Sequence, residues 1–268
     1  FFFKQKTAYE IPKRDWSSDV CSSDLPARRL RVKYQGSGLR VFATPETRKR
    51  REEGWLLLDP ETVAWLDAYV QPTDVFYDIG AGIGDYSLVA ATHRNALAVA
   101  IEPGFASYKR LCENMLLNDC RQSIIPLPVA LGDRNGLLEL QYTREAGEEQ
   151  HRLKPKVWRR RPYDAESNYV QPVCADRLDD VIQRYGLPRP AHVRIHARGA
   201  DAIARGAVET LRHAGVKSVL VVAPRREIRE ALEEALAASG LAPVPGPPRK
   251  ERQQRLLFTR QPVRSVRL

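Results

Sequence analysis

The chain has 268 residues, with 43 Lys and Arg against 33 Asp and Glu and a formal net charge of +10. That length suits one α/β domain with an ample core, and no apolar run approaches the length of a bilayer crossing, so no membrane partner is expected. Outside the first 25 residues the cysteines are Cys112, Cys120 and Cys174, an odd number without C-x-x-C spacing, which argues against a disulfide framework or metal centre and for a reducing, cytoplasmic compartment.

Residues 1–25 (FFFKQKTAYEIPKRDWSSDVCSSDL) resemble the conceptual translation of a sequencing-library adapter. They lack the apolar core and small-residue cleavage site of a signal peptide. They are expected to be non-native and disordered, and their charges cancel. Residues 26–70 form an N-terminal approach. Leu30-Arg-Val-Lys-Tyr34 and Leu39-Arg-Val-Phe42 alternate around Gly36-Ser-Gly38 and predict a hairpin. Asp59 and Pro60 then supply an N-cap and a first helical residue, with Val63, Leu66 and Val70 on one face.

The main domain, residues 71–268, opens on Asp74-Val-Phe-Tyr-Asp-Ile-Gly-Ala-Gly-Ile-Gly-Asp85. Val75, Phe76, Tyr77 and Ile79 predict a strand buried on both faces. It runs into Gly80, Gly82 and Gly84 and then a helix from Tyr86, the start of a nucleotide-binding βαβ unit. A dinucleotide fingerprint requires glycine at the sixth position, where this chain has Asp85. Asp78 lies two residues before the first glycine and would repel a pyrophosphate, whereas S-adenosylmethionine carries an ammonium and a sulfonium and no phosphate. The next apolar run, Ala96 to Ile101, ends in Glu102, placed to accept both ribose hydroxyls.

Phe105 to Asn118 predicts a helix with Tyr108, Leu111 and Met115 in its stripe, and Cys112 beside it as a small core residue. Ser123 to Leu131 predicts a third strand, irregular or near an edge because of its two prolines. Asp133 follows in a turn, where it either hydrogen-bonds an adenine amino group or is an ordinary turn residue. Residues 143–170 form a basic insertion with Trp158 and Arg159-Arg-Arg161, read as a lid or a disordered insertion. Its arginines beside aromatic residues are one motive for a nucleic-acid partner; a solvated loop is the other reading. Strands are then expected at His192–Ala197, Lys217–Ala223 and Arg255–Thr259, with helices at Arg177–Tyr185, Asp201–Ala214 and Arg226–Ser239. The alternation predicts an α/β fold with a doubly wound, mostly parallel sheet. Its ligand site lies at the carboxyl ends of the strands, where Asp78, Glu102, Asp133 and His196 are expected to gather.

From about Trp55 to Ala223 the chain resembles the FkbM family of S-adenosylmethionine-dependent methyltransferases. The resemblance rests on Asp74 to Gly84, Ala100-Ile-Glu-Pro103, Glu113-Asn-Met-Leu-Leu-Asn118, Val129-Ala-Leu-Gly-Asp133 and Asp176-Arg-Leu-Asp-Asp180. It implies a class I methyltransferase (Rossmann-like) fold and methyl transfer to a hydroxyl of a small molecule or glycan. It also implies that Asp78, Gly80, Gly82, Gly84, Glu102 and Asp133 hold the cofactor. The chain departs from the family at Val193-Arg-Ile-His-Ala-Arg-Gly199, where His196 and Arg198 replace two acids and Asp201 is the acid that remains nearby. His196, with Asp201, is therefore the candidate catalytic pair, with a non-catalytic crevice histidine as the alternative. Three functions follow: a methyltransferase with a divergent acceptor site, a degenerate domain that binds without turnover, and an RNA methyltransferase. A nicotinamide-dependent oxidoreductase is disfavoured by Asp85.

Overall fold

A computed structural model describes residues 28–34, 37–43, 59–142, 151–155, 170–222, 226–245 and 255–260. The adapter-like segment and the tryptophan–arginine run of the insertion lie outside them. Strands β1 (Arg28–Tyr34) and β2 (Ser37–Ala43) form the expected antiparallel hairpin, with Leu30 opposite Val41 and Val32 opposite Leu39. Helix α1 (Pro60–Tyr69) starts as its sequence requires, because the Asp59 carboxylate accepts from the Thr62 amide at 3.2 Å and Pro60 needs no partner.

The central sheet contains β3 (Val75–Ile79), β4 (Leu97–Ile101), β5 (Ile124–Leu127), β10 (His192–Ile195), β11 (Ser218–Val222), β12 (Ala242–Pro243) and β13 (Arg255–Thr259). Their order is β12-β13-β11-β10-β3-β4-β5, parallel except where β13 runs antiparallel to β11 and β12. The chain winds outward from β3 to β4 and β5 on one side and from β10 to β11 on the other. The order therefore reverses between β3 and β10, which makes that junction the place for a ligand.

Alternation along each strand splits the core in two. Phe76, Ala98, Ala100 and Leu220 pack with Trp65 and Leu66 of α1, Leu88 and Val89 of α2 (Asp85–His93) and Leu111 of α3 (Phe105–Leu117). Tyr77, Val99, Val193 and Val219 face the other layer. That layer is built from α4 (Leu178–Tyr185), α5 (Ala200–Arg205), α6 (Val208–Arg212) and α7 (Arg226–Ala238). The expected doubly wound α/β sheet with helices on both faces is thus observed.

Three local expectations are corrected. The third strand is split by Pro128: β5 ends at Leu127 on the sheet edge, and β6 (Ala130–Leu131) leaves for a second sheet, because proline supplies no ladder donor. That second sheet has the order β6-β9-β7-β8 and uses β7 (Gly136–Tyr142), β8 (His151–Pro155) and β9 (Val170–Asp176). Part of the basic insertion is therefore a strand rather than a loop. The single helix expected from Asp201 to Ala214 is broken into α5 and α6 at Gly206. A Cβ there would run into the carbonyl oxygen of Gly132, and the Gly206 carbonyl accepts from the Asp179 amide at 3.1 Å.

Candidate functional site

Each glycine of the turn after β3 has its own reason. Gly80 has φ +75°, and a Cβ there would collide with the backbone carbonyl of His196. It therefore permits the β3 and β10 turns to approach, an approach fixed by the His196 amide donating to Ile79 at 2.8 Å. Gly84, at φ +88°, is the N-cap of α2 and lies against Leu111 of α3. Gly82, at φ +58°, is different, since a Cβ there would meet nothing within 4 Å. The open space left by the turn is at Gly82.

Glu102, at the end of β4, clamps this turn. One carboxylate oxygen accepts from the Gly82 amide at 2.9 Å and the other from the Gly104 amide at 2.8 Å, with the side chain buried. Two further side chains brace the same region. Gln171 of β9 accepts from the Phe105 amide at 3.0 Å and donates to the Pro103 carbonyl at 3.1 Å. Asn114 of α3 accepts from the Phe42 amide of β2 at 2.8 Å and donates to the Ile83 carbonyl in the glycine turn at 3.0 Å. Asn114 stands in a family-like motif that assigns it no role, and Gln171 carries no sequence signal, because its partners are 66 and 68 residues away.

Asp78 departs from the expected role. Its register partner on β10 is Arg194, whose guanidinium donates to Asp78 at 2.8 Å, while the Ser87 hydroxyl donates to the other oxygen at 2.8 Å. Asp78 is fully buried and Arg194 is 3% exposed. Arg194 also lies 4.2 Å from the Tyr86 ring centroid, a cation–π contact. The carboxylate expected to meet the cofactor's positive end is thus committed to an internal cation. Asp78 and Glu102 occupy separate environments. The sequence does hold a signal for this: one acid inside an apolar strand and one base inside another are each too costly to bury alone.

The other expected site residues meet through arginines: His196 joins Asp78 through Arg194, and Asp133 joins Asp201 through Arg205. His196 stands at the β10 turn with part of its surface open to solvent and its Nδ1 turned inward, 3.3 Å from Arg194 Nη2 in a partly buried contact. Desolvation by the surrounding protein, then the charge of Arg194, pushes its pKa down to about 3. The imidazole is therefore neutral at physiological pH but a feeble proton acceptor, which weakens the general-base role. Asp201 pairs with Arg205 one turn later at 2.9 Å. Asp133 follows β6 of the second sheet rather than a strand of the central one. Its hydrogen bond from Arg134 at 3.1 Å, with Arg205 at 3.4 Å, holds its carboxyl below the usual range. Asp133 shares a shallow depression with Arg134, Arg177 and Arg205. Among the described residues no group of three or more His, Cys, Asp or Glu is placed to hold a metal, and no described helix is long and apolar enough to cross a membrane.

A serine–histidine–aspartate constellation lies at the opposite, amino ends of the strands. His192 Nδ1 is 2.7 Å from Ser218 Oγ and Nε2 is 3.1 Å from Asp74, which also accepts from Lys217 at 2.7 Å. The Trp65 indole donates to Ser218 Oγ at 3.0 Å. A neutral ring with its proton on Nε2 satisfies every partner, as Ser218 donates to Nδ1 and His192 to Asp74. Ser218 and His192 are both fully buried. No substrate reaches such a serine, so this is a polar clamp fastening α1 to the sheet.

No family model and no curated protein matches this sequence. Among solved structures, the chain is similar to the precorrin-6y C5,15-methyltransferase from Geobacter metallireducens GS-15. That match has 14% identity over 76% of this chain and 87% of that one, with a TM-score of 0.45. It is also similar to the SAM-dependent methyltransferase from Agrobacterium tumefaciens, with 12% identity, 87% and 70% coverage and a TM-score of 0.46. A third is TrmK from M. capricolum, solved with S-adenosyl-homocysteine, with 8% identity, 74% and 67% coverage and a TM-score of 0.43.

Proposed function

We propose that this chain is an S-adenosylmethionine-dependent methyltransferase with a divergent acceptor site, related to the FkbM family. The observation that carries the proposal is the Glu102 carboxylate holding the glycine turn, open at Gly82, beside the point where the strand order reverses. Each oxygen of a carboxylate accepts more than one hydrogen bond, so Glu102 can receive ribose hydroxyls while keeping its backbone donors. Gly82 lets a ligand approach the main chain. Asp78 holds Arg194 in place beneath the site and does not act as the cofactor's counter-ion. The bound donor would supply an electrophilic methyl group, and the protein's part is to position an acceptor hydroxyl in line with it. A small-molecule or glycan hydroxyl is the acceptor class that the resemblance supports. Calorimetric titration with S-adenosylmethionine tests this reading. Glu102→Ala is expected to weaken binding at least about tenfold, roughly 1.4 kcal/mol, and equal affinity in the two proteins would remove its basis.

A second reading is a domain that binds the cofactor or a partner without turnover. It is favoured by the low basicity of His196 and the engagement of Asp201 by Arg205. Transfer of a tritiated methyl group from the donor to any hydroxyl acceptor would eliminate it.

A further inference from the structure

We infer that the outer face of the β1–β2 hairpin is a docking surface for the phosphate backbone of a nucleic acid. From Arg28 to Ala43 the sequence holds five cations (Arg28, Arg29, Arg31, Lys33, Arg40) and no Asp or Glu. The register sets Arg31 directly opposite Arg40. Both are exposed, while Leu39 and Val41 on the other face of β2 are buried. Like charges directly opposite each other on a two-stranded ladder are destabilising. Among the described residues neither guanidinium has a carboxylate partner to offset that repulsion. Glu113 of α3 is engaged by Arg110 at 2.6 Å and Lys109 at 3.9 Å, and Asp119 by Arg121 at 3.0 Å.

The face is also shaped to present these charges. Arg31 lies along Gly38, where a Cβ would stand 2.7 Å from its Cγ and Cδ. Phe42 follows Arg40 by two residues and so shares its face, with the Arg110 guanidinium 5.4 Å from its ring centroid. Cations interleaved with an aromatic ring suit a strand of nucleotides, by charge and by stacking. A lipid surface is less suited, since among the described residues none of the large exposed apolar side chains (Phe105, Leu116, Leu137, Tyr185) belongs to the hairpin to anchor it. The surface does not depend on methyl transfer.

The test is fluorescence anisotropy of a short labelled single-stranded RNA, with DNA of the same sequence and phosphatidylserine vesicles as separate arms. Arg31→Gln with Arg40→Gln is expected to weaken binding to RNA or DNA about tenfold. It should also make the slope of log affinity against log salt shallower by about 1.4, at about 0.7 for each phosphate no longer neutralised. Arg31→Glu separates binding from folding. It creates an opposite-charge pair with Arg40, so the melting temperature should hold or rise while binding falls. Arg212→Gln with Arg229→Gln, which removes the same charge from the helical layer on the other side of the sheet, should leave binding unchanged. Unchanged binding in the hairpin variants overturns the inference, as does an equal reduction in the control pair or binding to vesicles but not to nucleic acid.

Discussion

Arg194 and Asp78 are neighbours across the β10–β3 ladder, joined at 2.8 Å with both side chains out of solvent. Removing one partner leaves the other charge buried and uncompensated. Asp78→Asn is therefore expected to destabilise the fold by about 3–5 kcal/mol, whereas Asp78→Leu combined with Arg194→Met should recover most of that loss. Urea unfolding of the single and the double variant checks this. If Asp78→Asn unfolds like the wild type, the ion pair is not what occupies Asp78.

The glycine turn predicts a contrast between two similar substitutions. Gly82→Ala meets open space and suffers only the left-handed backbone, about 1–2 kcal/mol. It should fold, and its effect should appear in cofactor affinity. Gly80→Ala adds a collision with the His196 carbonyl, so the β10 turn must move and the stability loss should be the larger. Melting curves for both variants, followed by titration of S-adenosylmethionine into the surviving one, separate packing from ligand approach.

His192 gives the acid side of the stability profile a definite sign. Burial first, opposed by Asp74, lowers its pKa from 6.5 to about 4. The folded ring therefore stays neutral where the unfolded one takes a proton. The stability it contributes is complete above pH 6.5 and falls by about 1.4 kcal/mol per pH unit as the pH drops toward 4. Asp59 and Asp74, both lowered, add a further loss at lower pH. Denaturation midpoints from pH 7 to 4 should slope downward in the wild type and flatten in His192→Asn, and parallel curves would refute the assignment.

His196 bears on rate. A ring with its pKa near 3 has no titration near neutrality, so the pH–rate profile of any methyl transfer should lack an imidazole limb between about pH 6 and 7. His196→Gln should change kcat by less than about threefold, against the roughly 10²–10⁴ carried by an essential base. A loss of that larger size would restore His196 to the chemistry.

Gln171 joins the second sheet to the loop carrying Glu102. Gln171→Leu removes the acceptor of the Phe105 amide and the donor to Pro103. Hydrogen exchange at the start of α3 should accelerate whether or not a cofactor is present. Gln171→Glu keeps the acceptor and should restore part of the protection.

Much of the architecture follows from local pattern. Asp59-Pro60 fixes the start of α1, the apolar runs fix β3, β4 and β11, and the two prolines mark β5 as an edge. What escapes local pattern depends on partners far along the chain. The break at Gly206 comes from the Gly132 carbonyl, and the short β6 is a strand only because it pairs with Ala175 and Asp176 of β9. The glycine turn is legible as a turn, but Gly80 is explained by the carbonyl of His196 in a distant loop. Asp78 looks like a ligand while its own strand is taken alone. Arg194, equally visible, claims it only once β3 and β10 are set in register.

Asn114 ties Phe42 of the hairpin to Ile83 of the turn with one buried amide group. A chain shortened to begin after Ala43 would leave that carbonyl oxygen without its donor inside the protein, at about 1–3 kcal/mol. The smallest autonomous unit therefore starts upstream of the first helix, and trimming the leading strands would loosen the bend at Gly82 through the freed Asn114 side chain.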